Sequence, residues 1–165
     1  MDSQTELLNH DQVCAIVRRI AFQVAESHSQ ERELVLVGLN ERGWFIAQIM
    51  HRELVQVLPH LQIHMQQVSS VGALKLNDEY THQVQGKCAV IVDDVINSGH
   101  SVMGILSLYH QAGARIIQTA FLAEREYRSF PVTANWVGRS VATTLQDHVY
   151  FDNSNPQALR VYLAN

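Results

Sequence analysis

Two adjacent carboxylates and the polar stretch after them are the residues of this 165-residue chain best placed to do chemistry. Asp93 and Asp94 follow an apolar run at residues 88–92, and a small, polar stretch occupies residues 97–101. Paired carboxylates accept hydrogen bonds from the hydroxyls of a cis-diol, and their charge strengthens those bonds. A glycine-containing loop before a helix offers free N–H groups and a favourable dipole to an anion. Together these features predict a site for a sugar phosphate at the carboxyl end of a strand.

The same residues have a simpler interpretation, in which an aspartate caps a helix and a glycine bends an ordinary strand-to-helix turn. A bare Asp-Asp followed by Ser-Gly fits both interpretations equally well. The flanking pattern favours the binding site, because the residues before the pair predict a buried strand and those from Ser101 to Ala112 predict a helix closed by Gly113.

The elements that must position these residues alternate between helices and strands. Apolar spacing predicts a helix from Val13 to Val24, capped by Asn9 or Asp11. The other predictions are strands at 34–39, 61–68, 88–92 and 116–122, a turn at 40–43, helices at 44–57 and 101–112, a loop or short hairpin at 69–85, and short apolar segments near 136–137, 149–151 and 161–163. In the strand at 61–68, Gln62, His64 and Gln66 should face solvent near a sheet edge. Strand and helix alternation predicts an α/β domain with a parallel sheet.

Composition limits the classes of protein that fit. The length and a hydrophobic share of 47% predict one domain over residues 1–165. A net charge of -4 disfavours binding to RNA unless basic residues cluster. Cys14 and Cys88 are far apart and lack metal-ligand spacing. Without a signal peptide or an apolar run of roughly 20 residues, a soluble, cytoplasmic protein with no membrane partner is expected.

Two stretches resemble a known family. Residues 90–101 resemble the motif that binds phosphoribosyl diphosphate (PRPP) in type I phosphoribosyltransferases, which runs through apolar residues, two acidic residues, a spacer and Thr/Ser-Gly-x-Thr/Ser. Residues 37–43 resemble the family's diphosphate-binding loop, in which an Arg-Gly pair recurs. The closest resemblance, over nearly the whole chain, is to the pyrimidine-operon attenuator and uracil phosphoribosyltransferase family. It rests on Arg19-Ile20-Ala21, Gly86-Lys87, Val92-Asp93-Asp94-Val95 and Val137-Gly138-Arg139.

The resemblance implies a parallel-sheet core flanked by helices, with a small hood that includes residues 136–143. PRPP ribose and phosphate would be bound by Asp93, Asp94, Val95, Ile96, Asn97, Ser98, Gly99, His100 and Ser101. Diphosphate would be bound by Asn40, Glu41, Arg42 and Gly43, and the base by Val137, Gly138 and Arg139. Asp93, Asp94 and Arg42 would be catalytic. Mg²⁺ would be the cofactor, contacted by Asp93 and Asp94 indirectly through ribose hydroxyls or water, and the partner would be a second copy in a homodimer.

Three stretches of the sequence depart from the usual pattern of the family. Relatives commonly have Thr-Gly-Arg-Thr where this chain has Ser98 to Ser101, so His100 replaces a permanent cation with a titratable one. The loop at 69–80 has only Lys75 as a cation. Residues 124–128 keep two arginines of the family's Asp-Arg-Gly-His-Arg.

The leading prediction is transfer of ribosyl phosphate from PRPP to a nucleobase, with uracil favoured. Asn97 replaces the aspartate that serves as a base in purine-specific relatives, so a purine is disfavoured. One alternative is a catalytically weak PRPP- or nucleotide-binding regulator of pyrimidine metabolism, linked to RNA. Another is a different Mg²⁺-dependent sugar-phosphate enzyme on the same kind of sheet.

Overall fold

The computed structural model describes residues 4–71, 75–126, 128–144 and 147–164. Its strands are β1 (Thr5–Leu8), β2 (Glu33–Leu39), β3 (Gln62–Val68), β4 (Cys88–Ile96), β5 (Ile116–Arg125), β6 (Trp136–Val141), β7 (His148–Asp152) and β8 (Arg160–Ala164). Its helices are α1 (His10–Ser27), α2 (Asn40–Val57), α3 (Asp78–Val84) and α4 (His100–Gln111).

Five parallel strands form the main sheet, in the order β3-β2-β4-β5-β6. The central strands β2 and β4 are almost wholly buried, because one sheet face packs against α1 and α2 while the other packs against α3 and α4. Continuous apolar runs suit strands that are covered on both faces. The predicted α/β class with a parallel sheet is therefore confirmed, and the carboxyl ends of the strands form one edge of the sheet.

A second, three-stranded antiparallel sheet joins the two ends of the described chain in the order β1-β8-β7. Its inward-facing residues Val149, Phe151 and Val161 belong to the same buried cluster as α1 and α2. The helix α1 begins at the predicted cap, since the Asn9 side chain accepts a hydrogen bond from the backbone N–H of Gln12. The small sheet thus extends the main core.

Helix and strand bounds near the site differ from the predictions. The predicted turn at 40–43 is the first turn of α2, which begins at Asn40 directly after β2. Asn40 adopts a left-handed φ of 55°, a conformation that asparagine tolerates better than most residues. Strand β4 continues past the predicted end at Val92 to Ile96, because β5 pairs with it as far as Ile96.

The stretch 69–85 is not all loop, since α3 forms within it at Asp78–Val84 and Asn77 caps that helix. Gln66, predicted to face solvent, is fully buried. Its side chain donates to the backbone carbonyl of Tyr80 and accepts a hydrogen bond of 2.7 Å from the hydroxyl of Tyr109 on α4. A period-two pattern cannot indicate that a helix covers the polar face.

No helix among the described residues has the length and apolar character needed to cross a membrane.

Candidate functional site

The acidic pair lies near the end of β4, at the carboxyl edge of the main sheet. Asp93 is only 9% exposed, and its Oδ1 accepts a 2.9 Å hydrogen bond from the backbone N–H of Asp94. Burial, followed by the negative charge of Asp94, raises the pKa of Asp93 well above that of an ordinary carboxyl group. The pair therefore favours ligands that bring hydroxyl donors or positive charge to it.

The first turn of α2 lies against the same strand end. Arg42 places its Nη1 3.6 Å from Oδ2 of Asp94. A Cβ on Gly43 would lie 2.4 Å from the carbonyl oxygen of Val92, so only glycine permits this approach of helix to strand. A Cβ on Gly38 would meet Trp44 Cα at 2.4 Å. Close packing at these two glycines brings Arg42 to the acidic pair.

Asn40 and Glu41 connect the start of α2 to the neighbouring strand and loop. The Asn40 side chain accepts a 2.9 Å hydrogen bond from the Ser70 backbone N–H and donates to the Ser70 hydroxyl. Glu41 accepts a hydrogen bond from the side chain of Gln67. These contacts fix the first residues of the loop that follows β3. Gly72, Ala73 and Leu74, within the predicted loop at 69–80, lie outside the described residues.

The predicted phosphate loop encloses a cavity of about 200 Å³ at the start of α4. Its lining residues are Asn40, Asp93, Val95, Ile96, Asn97, Ser98, Gly99, His100, Ser101 and Val102. Gly99 has a left-handed φ of 85°, which glycine adopts without steric cost. The backbone N–H of His100 donates to the Ser98 hydroxyl at 3.3 Å.

A second cavity of about 320 Å³ adjoins the first, and Asn40 and Asp93 line both. Glu41, Arg42 and Asp94 complete its lining. The structure thus brings the predicted ribose, phosphate and diphosphate residues together, with the acidic pair between Arg42 in the first turn of α2 and the loop before α4. A larger apolar cavity of about 760 Å³ lies elsewhere, between α2, β3 and the segment before β8.

Comparison with known proteins identifies the family of this chain. The family described as phosphoribosyl transferase domain matches residues 3–150. The chain belongs to this family. Its curated relatives include the Bifunctional protein PyrR of Citrifermentans bemidjiense, 31% identical with 94% of this chain and 95% of that protein covered. The PyrR of Haemophilus ducreyi is 26% identical, with 87% and 86% covered. The family resemblance seen in the sequence is therefore confirmed.

Solved structures of the same family share the fold. A hypoxanthine phosphoribosyltransferase of Trypanosoma cruzi superposes with a TM-score of 0.77 at 13% identity, covering 98% of this chain and 97% of that one. A hypoxanthine-guanine phosphoribosyltransferase of Bacillus anthracis gives 0.69 at 18% identity, covering 83% and 82%. At these identities the likeness establishes the fold and not the acceptor base.

In this phosphoribosyltransferase domain the predicted base residues lie in β6, the edge strand of the main sheet. The register pairs Arg139 with Ala123, and Ala123 with Val95, so Arg139 lies two strand spacings, roughly 10 Å, from β4. Arg139 donates to the backbone carbonyl of Leu7. Residues 136–141, predicted as part of the hood, are thus a strand of the main sheet.

Close packing holds β6 in place at Gly138. A Cβ there would lie 2.2 Å from the carbonyl oxygen of Leu122 and 2.4 Å from a side-chain carbon of Ile16. Arg19 of α1 donates to the carbonyls of Val137 and Gly138 at 3.0 and 3.2 Å. The side chain of Arg139 and these backbone groups are engaged in the fold, and one strand separates them from the acidic pair.

Sequence reasoning missed the segment after β5 as part of the site. Arg128 donates to the carbonyls of Ile96 and Asn97 at the start of the phosphate loop. The ring of Phe130 lies 5.2 Å from that of His100. The only sequence signal was the pair of arginines kept at 125 and 128, which indicates neither contact. Tyr127 lies outside the described residues.

Another group of polar side chains lies at the opposite edge of the sheet. His28, Glu31 and Cys88 bring potential metal-ligand atoms within 4.8 Å of one another. One nitrogen of the Arg115 guanidinium lies 2.6 Å from a Glu31 oxygen and 3.1 Å from the Cys88 sulfur. Burial raises the pKa of the Cys88 thiol, which disfavours the thiolate that metals bind. The Arg115 guanidinium already supplies a positive charge beside Glu31 and Cys88.

Proposed function

We propose that this protein transfers ribosyl phosphate from PRPP to uracil and releases diphosphate. One observation carries the proposal: the acidic pair lies where two cavities meet, between Arg42 and the glycine-containing loop before α4. PRPP has a phosphate, a ribose and a diphosphate in a row. This site offers an anion-binding loop, two carboxylates and a guanidinium in the same order.

Each part has a distinct role in the proposed reaction. Backbone N–H groups of residues 97–101 hold the 5′-phosphate at the start of α4. Asp93 and Asp94 accept hydrogen bonds from the ribose hydroxyls while positive charge develops on the ring. Arg42 stabilises the departing diphosphate. The base attacks the ribose directly, so no protein nucleophile is required.

The donor set near Arg42 fits Mg²⁺. The carboxylates of Glu41, Asp93 and Asp94 line the 320 Å³ cavity, and a cation there would offset the burial and the neighbouring charge of Asp94 that raise the pKa of Asp93. Asp93 and Asp94 would hold the ion indirectly, through ribose hydroxyls or water. When bound, Mg²⁺ neutralises the charge on the diphosphate.

Uracil is proposed as the acceptor on two grounds. Asn97, which lines the phosphate cavity, cannot act as the base that purine-specific relatives use. The curated relatives include proteins named Bifunctional protein PyrR, and that name fits an enzyme with a second role. Val137, Gly138 and Arg139 are proposed to lie beside the base. A cytoplasmic homodimer completes the proposal, and the net charge of -4 disfavours RNA as a partner.

Diphosphate release tests the proposal directly. The purified protein with Mg²⁺ and PRPP would be given uracil, hypoxanthine or guanine, with an otherwise identical reaction lacking any base as the control. Release with uracil alone is expected. Binding of PRPP without release for any base would instead support the regulator, and release with a purine alone would refute the choice of uracil.

A further inference from the structure

The segment at residues 128–132 packs along the outer side of the phosphate loop. The backbone N–H groups of Ser129 and Phe130 both donate to the carbonyl of Ser98, at 3.1 and 3.0 Å. An added Cβ on Gly99 would lie 3.4 Å from the carbonyl oxygen of Phe130. The loop is therefore supported from outside, on the side away from its cavity.

Arg128 is the centre of this support. Its Nη1 donates to the carbonyls of Ile96 and Asn97 at 3.4 and 3.3 Å, and its Nη2 donates to a Glu124 oxygen at 2.6 Å. The side chains of Arg128 and Glu124 are only 18% and 23% exposed. The other Glu124 oxygen accepts a 2.6 Å hydrogen bond from the Ser140 hydroxyl. A chain of polar contacts thus runs from β6 through Glu124 and Arg128 to the start of the phosphate loop.

We infer that Arg128 is a positioning residue that holds the phosphate loop in the conformation required to bind the 5′-phosphate. This inference rests on the proposed function. The guanidinium contacts the carbonyl side of the loop backbone and does not line the cavity, so it acts on the ligand through the loop. When those carbonyls are held outward, the N–H groups that follow are free to face the anion. Lysine cannot reproduce the contacts, because its ammonium is a point charge without the planar fork of donors.

A change at Arg128 should affect only the end of PRPP that carries the 5′-phosphate. Among the described residues, Arg42, at the opposite side of the acidic pair, forms its salt bridge with Asp94, and Arg128 forms its own with Glu124. Loss of Arg128 should weaken the binding of ligands that carry the 5′-phosphate and leave the binding of diphosphate unchanged. A general loss of folding would weaken both.

The test compares Arg128→Met and Arg128→Lys with Arg125→Met. Arg125 is a matched control, because it is the last residue of β5, just before this segment, and its side chain donates to Thr143 and Thr144 instead of the loop. Calorimetry would measure the binding of ribose 5-phosphate and of Mg²⁺-diphosphate separately. Hydrogen exchange would measure the protection of the backbone amides of residues 96–102. Both Arg128 variants should bind ribose 5-phosphate about tenfold more weakly, as expected for loss of hydrogen bonds to a charged group, and exchange faster in the loop. Arg125→Met should match the wild type in both.

Equal binding of ribose 5-phosphate by wild type and Arg128→Met would overturn the inference, as would an equal loss for both ligands. A wild-type protein that binds neither ribose 5-phosphate nor PRPP would overturn the proposed function together with the inference. A wild-type protein that binds ribose 5-phosphate but transfers no ribosyl phosphate from PRPP to any base would overturn the proposed reaction, and the exchange and binding data would still decide the role of Arg128.

Discussion

Asp93, which we propose as a ligand-binding residue, occupies a position that lowers the stability of the fold. Its carboxyl group is buried beside a second carboxylate, and its nearest cation, Arg42, contacts Asp94 instead. A buried charge without its own partner destabilises a protein. Such a residue is expected where the missing interactions come from a ligand.

The pKa shift of Asp93 gives a stability prediction with a definite sign. Because the native pKa is raised, the stabilising effect of the proton is full below the ordinary carboxyl pKa of about 3.9 and is lost as pH rises through the native pKa. Asp93→Asn keeps the size and removes the charge. Its Tm should exceed that of the wild type by a few degrees at neutral pH, where about 1 kcal/mol corresponds to ~2–4 °C in a domain of this size. The gain should vanish in acid.

Thermal melts of both proteins would measure the difference in Tm as a function of pH. A range from about pH 3 to about pH 8 covers the titration of ordinary carboxyl groups and of histidine. Asp11→Asn removes an exposed carboxylate on α1 and should show no such rise. A Tm of Asp93→Asn below that of the wild type at every pH would contradict the view that Asp93 is a buried charge without a partner.

At the scale of elements, the site depends on how closely α2 approaches β4. The contact at Gly43 is between backbone atoms of α2 and β4. Backbone atoms cannot move apart by a change of side-chain rotamer. The position of Arg42 is therefore coupled to the packing of a whole helix. Adding one methyl group at Gly43 should therefore change both the stability of the protein and its affinity for ligands.

Gly43→Ala should lower the free energy of unfolding by about 1–3 kcal/mol, the usual cost of overpacking, and should weaken PRPP binding because the first turn of α2 must shift. Urea denaturation and calorimetry would measure the two effects. Gln48→Ala, on an exposed position of the same helix, serves as the control and should change neither. Wild-type stability and affinity in Gly43→Ala would contradict the close approach.

Most elements could be predicted from the sequence where one local pattern decides them. The stripe of apolar residues and the Asn9 cap predicted α1, and continuous apolar runs predicted β2 and the start of β4. The start of α2 at Asn40 was missed because four polar or small residues indicate a turn unless the strand before them is known to pack against them. Gln66 was misplaced because its partners, Tyr80 and Tyr109, come from distant parts of the chain.

The candidate site could also be predicted only in part. The carboxylates, Arg42 and the phosphate loop could be assigned because each forms part of a short motif, and the structure brings them together. Arg128 and Phe130 could not be assigned, since their contacts depend on a chain reversal after β5. The glycines at 38, 43 and 138 gave no indication of which backbone they approach.

At the scale of the whole molecule, the two sheets share one core. Phe151 of β7 is buried, and its ring lies 6.3 Å from that of Phe45 on α2, the helix that carries Arg42. Strand β7 of the small sheet therefore helps to support the helix that carries Arg42. The small sheet should melt together with the main domain.

Phe151→Ala should cost about 3–5 kcal/mol of unfolding free energy, the usual penalty for removing a buried phenylalanine. Tyr150→Ala provides a matched control on the same strand. Tyr150 is 37% exposed and stacks on Tyr162, so its loss should cost about 1 kcal/mol or less. Chemical denaturation followed by fluorescence and circular dichroism would measure both. Equal costs, or a separate early transition for Phe151→Ala, would indicate that the small sheet is independent of the core.

The central claim is that Asp93 and Asp94 form the ribose contact of a PRPP site. Calorimetric titration of Mg²⁺ and PRPP into the wild type, into Asp93→Asn with Asp94→Asn, and into a control with exposed Asp11 and Asp78 changed to asparagine tests it most directly. We expect saturable binding to the wild type and to the control, and none to the first double variant at the same concentrations. Undiminished binding to that variant, or no binding to the wild type, would contradict it.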